Sequence, residues 1–302
     1  MMFGTREEFA YRRCATCGTL QIADFPGDMA RHYPPGAYYS FNNAGGVSAL
    51  KRVARRLAAR AIIGRPARMP AGAGLLDRLK RGAEPWIAAV PELRMSDSVL
   101  DVGCGEGARL EALAALGFSD LSGIDPFLPA WRDGRTASGI RLMRGDLAGC
   151  TDRFDLITMH HSLEHVERPG ELLEQARGRL KPGGRVLVRI PLLQPWAWER
   201  YGTSWAQLDP PRHFYLFTTA AFLGLAERSG FRCTGHGFDG MGWSIAWSEA
   251  YERGIPMNEP DGRANTLPFD PAQLAAFERE ALAHNAAGEG EAGWFVLEPA
   301  KA

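Results

Sequence analysis

The chain has 302 residues, 45% of them hydrophobic and 23% charged, an ordinary globular composition with length enough to bury one large core or two modest ones. Lys+Arg and Asp+Glu both number 35, so the basic surplus of a protein that grips nucleic-acid phosphates is missing and no nucleic-acid partner is expected. Five cysteines are no disulfide scaffold, no apolar run reaches the ~18 residues of a membrane span, and the first residues lack a secretory apolar core, so a cytoplasmic protein with reduced thiols is expected.

Residues 1–45 are turn-rich and aromatic and read as a small knuckle-like segment. Cys14 and Cys17, followed by Gly18, have the spacing that folds round one tetrahedral metal, which makes zinc a candidate here. Zinc needs four ligands, and this zone offers only His32 as a third. Residues 46–95 read as a helical linker or lid. Its first part, 47–63, sets Lys51, Arg52, Arg55, Arg56 and Arg60 among Val47, Leu50, Val53, Leu57 and Ile62 at helical spacing. From Val47 to Ala83 ten Lys/Arg face one acid, Asp77. The plain reading is a solvated face over a packed one; the sharper reading is contact with a membrane surface.

Residues 96–235 alternate apolar runs with amphipathic runs, the pattern of βα units on a doubly wound, mainly parallel sheet with helices on both faces. Strands are expected at 98–102, 120–125, 140–146, 154–161 and 185–191, with one more opening on Phe231. Helices are expected at ARLEALAAL, at GELLEQARGRL closed by KPGG, and at TTAAFLGLAERSG between a threonine N-cap and Gly230. Residues 236–302 read as a looser extension with one helix, PAQLAAFEREALAHNAA, between Pro271 and Gly288.

The chemistry concentrates where the first of these strands meets its helix. Asp101-Val102-Gly103-Cys104-Gly105-Glu106-Gly107 leaves a strand and opens a helix; glycines permit a sharp turn and close approach of a ligand, and the helix start offers free N–H groups. Asp125 ends the second strand, where an acid accepts hydrogen bonds from ribose hydroxyls. Asp146 ends the third, suited to an adenine amino group. An acid before the glycines can face a cationic ligand, which favours a nucleoside other than a dinucleotide. The motifs DVGCGEG, GIDP, GDL, FDLITMHHSLEHV and LKPGGRVLVRIP together resemble the class I S-adenosylmethionine-dependent methyltransferases over about residues 96–235. The resemblance implies that Asp101, Gly103 and Gly105 hold the methionine end, Asp125 the ribose, and Asp146 and Leu147 the adenine, with Cys104 and Pro126 also at the cofactor and His160 or His161 beside the sulfonium.

Methyl transfer needs an acceptor held close to the methyl carbon, and a hydroxyl acceptor must lose its proton. His160, His161 and His165 cluster after the fourth strand, and His213 lies in a loop stiffened by Pro210 and Pro211. The stretch WERYGTSWAQLDPPRHFYLF is similar to one found in a methyltransferase branch that modifies glycans and natural products; that likeness implies His213 and Tyr215 as acid and base, beside His161. The same branch carries a zinc-binding front with two CxxC pairs, of which only Cys14/Cys17 is present here. Either coding sequence upstream supplies the other pair or the site is degenerate. The acceptor expected is a sugar, a glycan or a related small molecule, with oxygen ahead of carbon as the methylated atom. The alternatives are a non-sugar natural product or quinone-like ring, or a non-catalytic binding scaffold. The oligomeric state is not legible.

Overall fold

In the computed structural model, residue 2 and residues 4–33, 85–90 and 92–300 are described. The basic helix expected over 47–63 lies outside them. At the front, β1 (Tyr11–Arg13) and β2 (Leu20–Ile22) form an antiparallel hairpin whose turn carries Cys14 and Cys17.

The expected βα order comes next. β3 (Val99–Val102) leads into α1 (Ala108–Leu116), then β4 (Leu121–Asp125), a short β5 (Gly134–Arg135), β6 (Arg141–Arg144) and β7 (Phe154–His160). After α2 (Pro169–Gly178) comes β8 (Leu180–Pro191), so the KPGG run expected as a turn is instead the start of that strand. α3 (Pro195–Tyr201) and β9 (Tyr215–Leu216) precede α4 (Thr219–Arg228), capped by the Thr218 side chain as its sequence predicts. β10 (Phe231–Phe238), α5 (Gly242–Glu252), α6 (Pro271–Ala287) and β11 (Ala292–Pro299) complete the order.

The main sheet runs β10-β11-β8-β7-β3-β4-β6-β5. β3, β4, β6, β7 and β8 pair in parallel, and β11 is antiparallel to both its neighbours. Every residue of β3 and β4 is buried, as a parallel strand covered on both faces requires. On one face α2 and α4 pack Leu173, Ala176, Phe222 and Ala226 against Ile157, Met159, Val186 and Val188. On the other, α1 packs Leu110 and Leu113 against Val99, Leu142 and Leu187, beside Trp86. Each such fully buried large side chain contributes about 1.5–3 kcal/mol relative to exposure.

Two expectations need correction. The extension over 236–302 is not loose: it supplies two helices and β11, which sits inside the sheet between β10 and β8. The front segment is likewise joined to the chain beyond β8, because β2 pairs with β9 in a second, three-stranded sheet, β1-β2-β9. Strand order reverses between β3 and β7, and a crevice at the carboxyl ends of strands at such a switch point is where this architecture binds ligands.

Candidate active site

A cavity of about 440 Å³ opens there. Of the residues expected at the cofactor, Gly103, Gly105, Asp125, Pro126, Asp146, Leu147 and His160 line it, and so does His161. The turn after β3 is shaped by glycine: Gly103 stands at φ 75°, and a Cβ there would lie 2.4 Å from the Ser162 Cβ. The Asp125 carboxylate, at the end of β4, accepts from the backbone N–H groups of Gly105 and Phe127, both at 2.8 Å. Burial raises its pKa, and those two amides pull it down by less. Asp146 caps a short 3-10 turn through a 3.2 Å bond from the Gly149 N–H, which presents its carboxylate beside buried Leu147. Arg109 in the first turn of α1 also lines the cavity.

Asp101 and Cys104 stand behind this wall. Asp101 is buried within β3, where the Thr158 hydroxyl donates to it at 2.7 Å. The Cys104 sulfur is buried against Gly123 and Leu110, and burial pushes its thiol pKa well up. His160 is buried beside the Trp86 ring at 4.8 Å, neither ring nitrogen has a hydrogen-bond partner, and burial holds its pKa well down.

The acceptor side is organised round Glu164, a residue that sequence reasoning does not single out. His161 adopts φ 51°, unusual for a residue with a side chain, and the chain then makes one 3-10 turn over Leu163–His165. Glu164 is fully buried, and its two oxygens make no hydrogen bond of normal geometry. His161 Nδ1 is 3.3 Å from Oε1, and His213 Nε2 is 3.9 Å from the same oxygen. Burial pushes the Glu164 pKa up; contact with His161 and the fields of the three surrounding imidazoles outweigh that and hold it below the usual carboxylate range. Burial also lowers the His165 pKa, to about 4.

Hydrogen bonds settle which ring nitrogens are free. His213 Nδ1 is 2.6 Å from the Gln207 carbonyl, and His165 Nδ1 is 2.8 Å from the Arg212 carbonyl. A carbonyl only accepts, so each Nδ1 carries a proton. Metal-ligating atoms of Glu164, His165 and His213 all lie within 4.8 Å of one another, the one such cluster of three among the described residues. The set has the composition of a two-histidine, one-carboxylate cation site.

The loop bearing His213 is braced from several sides. Asp209 and Arg212 form a buried ion pair, 2.5 Å apart; burial raises the Asp209 pKa, and the Arg212 charge outweighs it and holds the pKa down. The Tyr11 hydroxyl on β1 donates to the His213 carbonyl at 2.7 Å, the Ile22 N–H on β2 donates to the Phe214 carbonyl, and the Phe214 N–H donates to the Glu164 carbonyl. Tyr33 stacks on Phe127 with ring centres 5.2 Å apart and sets its hydroxyl 3.1 Å from His165 Nδ1, closing one wall of the cavity. His213 and Tyr215 do not line the cavity: His213 stands behind His161 and His165, and the Tyr215 hydroxyl donates to the Glu167 carbonyl at 2.9 Å. The sequence does hold a signal for Glu164, the spacing His161-x-x-Glu164-His165, which puts Glu164 and His165 on one short turn and His161 just before it.

Cys14 and Cys17 are both exposed at the hairpin turn, and backbone N–H groups of Cys17 and Thr16 lower the Cys14 thiol pKa. His32 is hydrogen-bonded to Arg31 at 3.0 Å, and among the described residues no third ligand joins the pair.

The profile of a methyltransferase-domain family matches residues 74–236, more than half of the chain. A ubiquinone biosynthesis O-methyltransferase of Cereibacter sphaeroides is 30% identical over 173 residues, 50% of this chain and 68% of that protein. The mitochondrial ubiquinone biosynthesis O-methyltransferase of Saccharomyces cerevisiae is 33% identical over 120 residues, 37% of this chain and 38% of that one. Among solved structures, a geranyl diphosphate C-methyltransferase from Streptomyces coelicolor covers 80% of this chain and 86% of its own, with 14% identity and a TM-score of 0.49.

Proposed function

The chain belongs to the S-adenosylmethionine-dependent methyltransferases, and from that premise we propose that it methylates a hydroxyl oxygen on the ring of a small acceptor. The observation that carries this reading is the buried Glu164 carboxylate, ringed by imidazoles of which two, His161 and His165, line the cavity. When bound, S-adenosylmethionine supplies an electrophilic methyl carbon on a sulfonium. Support for its fit comes from the cavity lining: Gly103 and Gly105 bring backbone to the wall, the Asp125 carboxylate suits ribose hydroxyls, and Asp146 with Leu147 suits adenine. Asp101 and Cys104 support that wall from behind.

A hydroxyl oxygen gives up its proton as it gains the methyl group, and a positioned base contributes typically ~10²–10⁴-fold. In this reading His161 takes the proton, and the Glu164 carboxylate beside its Nδ1 holds the resulting imidazolium. His213 acts one layer back, orienting the cluster rather than touching the acceptor, and Tyr215 holds the chain after Glu164. A second reading rests on the convergence of Glu164, His165 and His213: one carboxylate and two imidazoles, each able to offer a ligand atom, fit a divalent cation, which would lower the pKa of an acceptor hydroxyl.

Tyr33, Phe127, Val166, Leu172 and Phe214 give the cavity a mainly apolar wall, broken by Arg109, Ser162 and Glu167. The aromatic and aliphatic faces suit a flat ring, and each sugar hydroxyl set against them without a partner would cost about 1–3 kcal/mol. A quinone-like or catechol-like ring is therefore favoured over the sugar or glycan, and the two relatives described above are named for O-methylation of such a pathway. The test has two steps. Calorimetry should show S-adenosylmethionine binding, and its absence overturns the enzymatic reading. Mass spectrometry of dihydroxylated aromatic rings and nucleotide sugars incubated with the loaded enzyme should then show methylation of rings only. Methylation confined to the sugars overturns the ring assignment. Metal analysis of the purified protein, with turnover before and after chelation, decides between His161 alone and a bound cation.

A further inference from the structure

The turn that joins α6 to β11 is bonded four times to the segment just after β8. The Leu192 N–H donates to the Glu291 carbonyl at 2.9 Å, Gln194 Nε2 to the Gly290 carbonyl at 2.9 Å, and Trp196 Nε1 to the Glu289 carbonyl at 2.8 Å. Any sequence offers those three acceptors. The fourth bond depends on a side chain: Trp205 Nε1 donates to Glu291 Oε2 at 2.6 Å. Glu291 is 2% exposed, its second oxygen has no hydrogen bond, and the hydroxyl of Ser244, from α5, lies beside it, fully buried.

A charge in such a place is costly unless it is paired and hydrogen-bonded. Trp205 opens the short 3-10 turn Ala206–Leu208, and the Gln207 carbonyl of that turn accepts the Nδ1 proton of His213. A run of contacts therefore leads from Glu291 through Trp205 and Gln207 to the imidazole beside Glu164. Resting on the methyltransferase reading above, we propose that Glu291 is a positioning residue of the acceptor side: its carboxyl accepts from Trp205 and so anchors the turn that orients His213, and loss of its proton tightens that anchor.

The surroundings favour the neutral acid. Burial raises the Glu291 pKa to about 7, against the hydrogen bond from Trp205 and the nearby Ser244 hydroxyl, and the charge of Glu280 on α6 adds to the rise. The cations on the elements packed round it have other partners. Arg200 on α3 pairs with Glu249 of α5 at 2.6 Å and with Glu280 at 2.5 Å. Arg189 on β8 pairs with Asp239 at 2.6 Å, and His284 on α6 lies 3.5 Å from Glu289. The cofactor wall, on β3, β4 and β6, makes none of the four bonds to this turn.

The test reads the indole N–H of Trp205 by nuclear magnetic resonance, without any acceptor, with Trp205→Phe assigning the peak. In the wild type this resonance should titrate with a midpoint near about pH 7, well above the ordinary glutamate range. The His213 ring protons should show the same inflection. In Glu291→Gln, which keeps an acceptor for the indole but has no proton to lose, the inflection should vanish from both. A Trp205 resonance that is flat in the wild type, or that titrates alike in Glu291→Gln, overturns the proposal and leaves the methyltransferase reading standing. With an acceptor in hand, Glu291→Ala should lower acceptor kcat/KM about tenfold, the scale of one lost hydrogen bond to a carboxyl, while cofactor Kd stays within about twofold. An equal loss in both also overturns it.

Discussion

The cofactor wall and the acceptor side of this cavity are built in different ways. The wall is local: Asp101 to Ala108 is the end of one strand, one glycine turn and the start of one helix, Asp125 ends β4, and Asp146 caps the turn that follows β6. The acceptor side is gathered from four stretches of chain, around Tyr33, around His161–Glu167, from Trp205 to Phe214, and at Glu289–Ala292, held by hydrogen bonds between residues far apart in sequence. A local site tolerates damage elsewhere and fails when its own turn is changed. A gathered site fails when any of its staples is cut, and it can do so while the cofactor still binds.

Substitutions can break or sharpen that contrast. The largest effect is expected at Glu164. Glu164→Gln should cut turnover ~10²–10⁴-fold, the scale of a lost base, with cofactor affinity kept within about threefold. Next, Asp125→Ala should weaken cofactor binding by about 1.5–3 kcal/mol, as expected for hydrogen bonds to a charged group, measured by calorimetry. Unchanged affinity would remove Asp125 from the site. Gly103→Ala acts on the same wall through the backbone. With φ at 75° and a Cβ 2.4 Å from Ser162, it should lower stability by about 1–2 kcal/mol and cofactor affinity with it, checked by thermal melting and calorimetry.

The pH dependence of stability tests the acceptor staple. The Glu291 pKa is raised in the folded protein to about 7 from an ordinary value of 4.5, so the folded state binds its proton more tightly. Its stabilisation is complete below the unfolded value and is lost as pH rises through about 7. Denaturant melts of wild type against Glu291→Gln should therefore diverge across that window by about 3 kcal/mol at most. The smallest effect is expected at the hairpin turn. Cys14→Ser with Cys17→Ser should leave the thermal melt nearly unchanged, because both thiols are exposed and, among the described residues, no third metal ligand lies beside them. A large loss, reversed by zinc, would show that the pair holds a metal.

The same contrast explains what is legible in the sequence. The Thr218 cap, the Gly288 helix end and the glycine turn after β3 are decided by neighbours in sequence, and they stand where the sequence predicts. β11 is not legible because AGWFVLEP has no alternation to mark it; its burial comes from two antiparallel partners that only the assembled sheet supplies. His213 is legible as an important histidine but not as one behind the cavity wall, since its position depends on Tyr11, Gln207 and the Asp209–Arg212 pair. Trp205 and Glu291, 86 residues apart, carry no mark of each other in the sequence.

The central claim is that a distinct acceptor site, organised by Glu164, lies beside an independent cofactor wall. Paired measurements on Glu164→Gln, cofactor affinity by calorimetry and single-turnover methylation of a ring acceptor, test it most directly. The account predicts methylation slowed by about a hundredfold or more with cofactor affinity nearly unchanged. Methylation at the wild-type rate, or a matching loss in both, would contradict it.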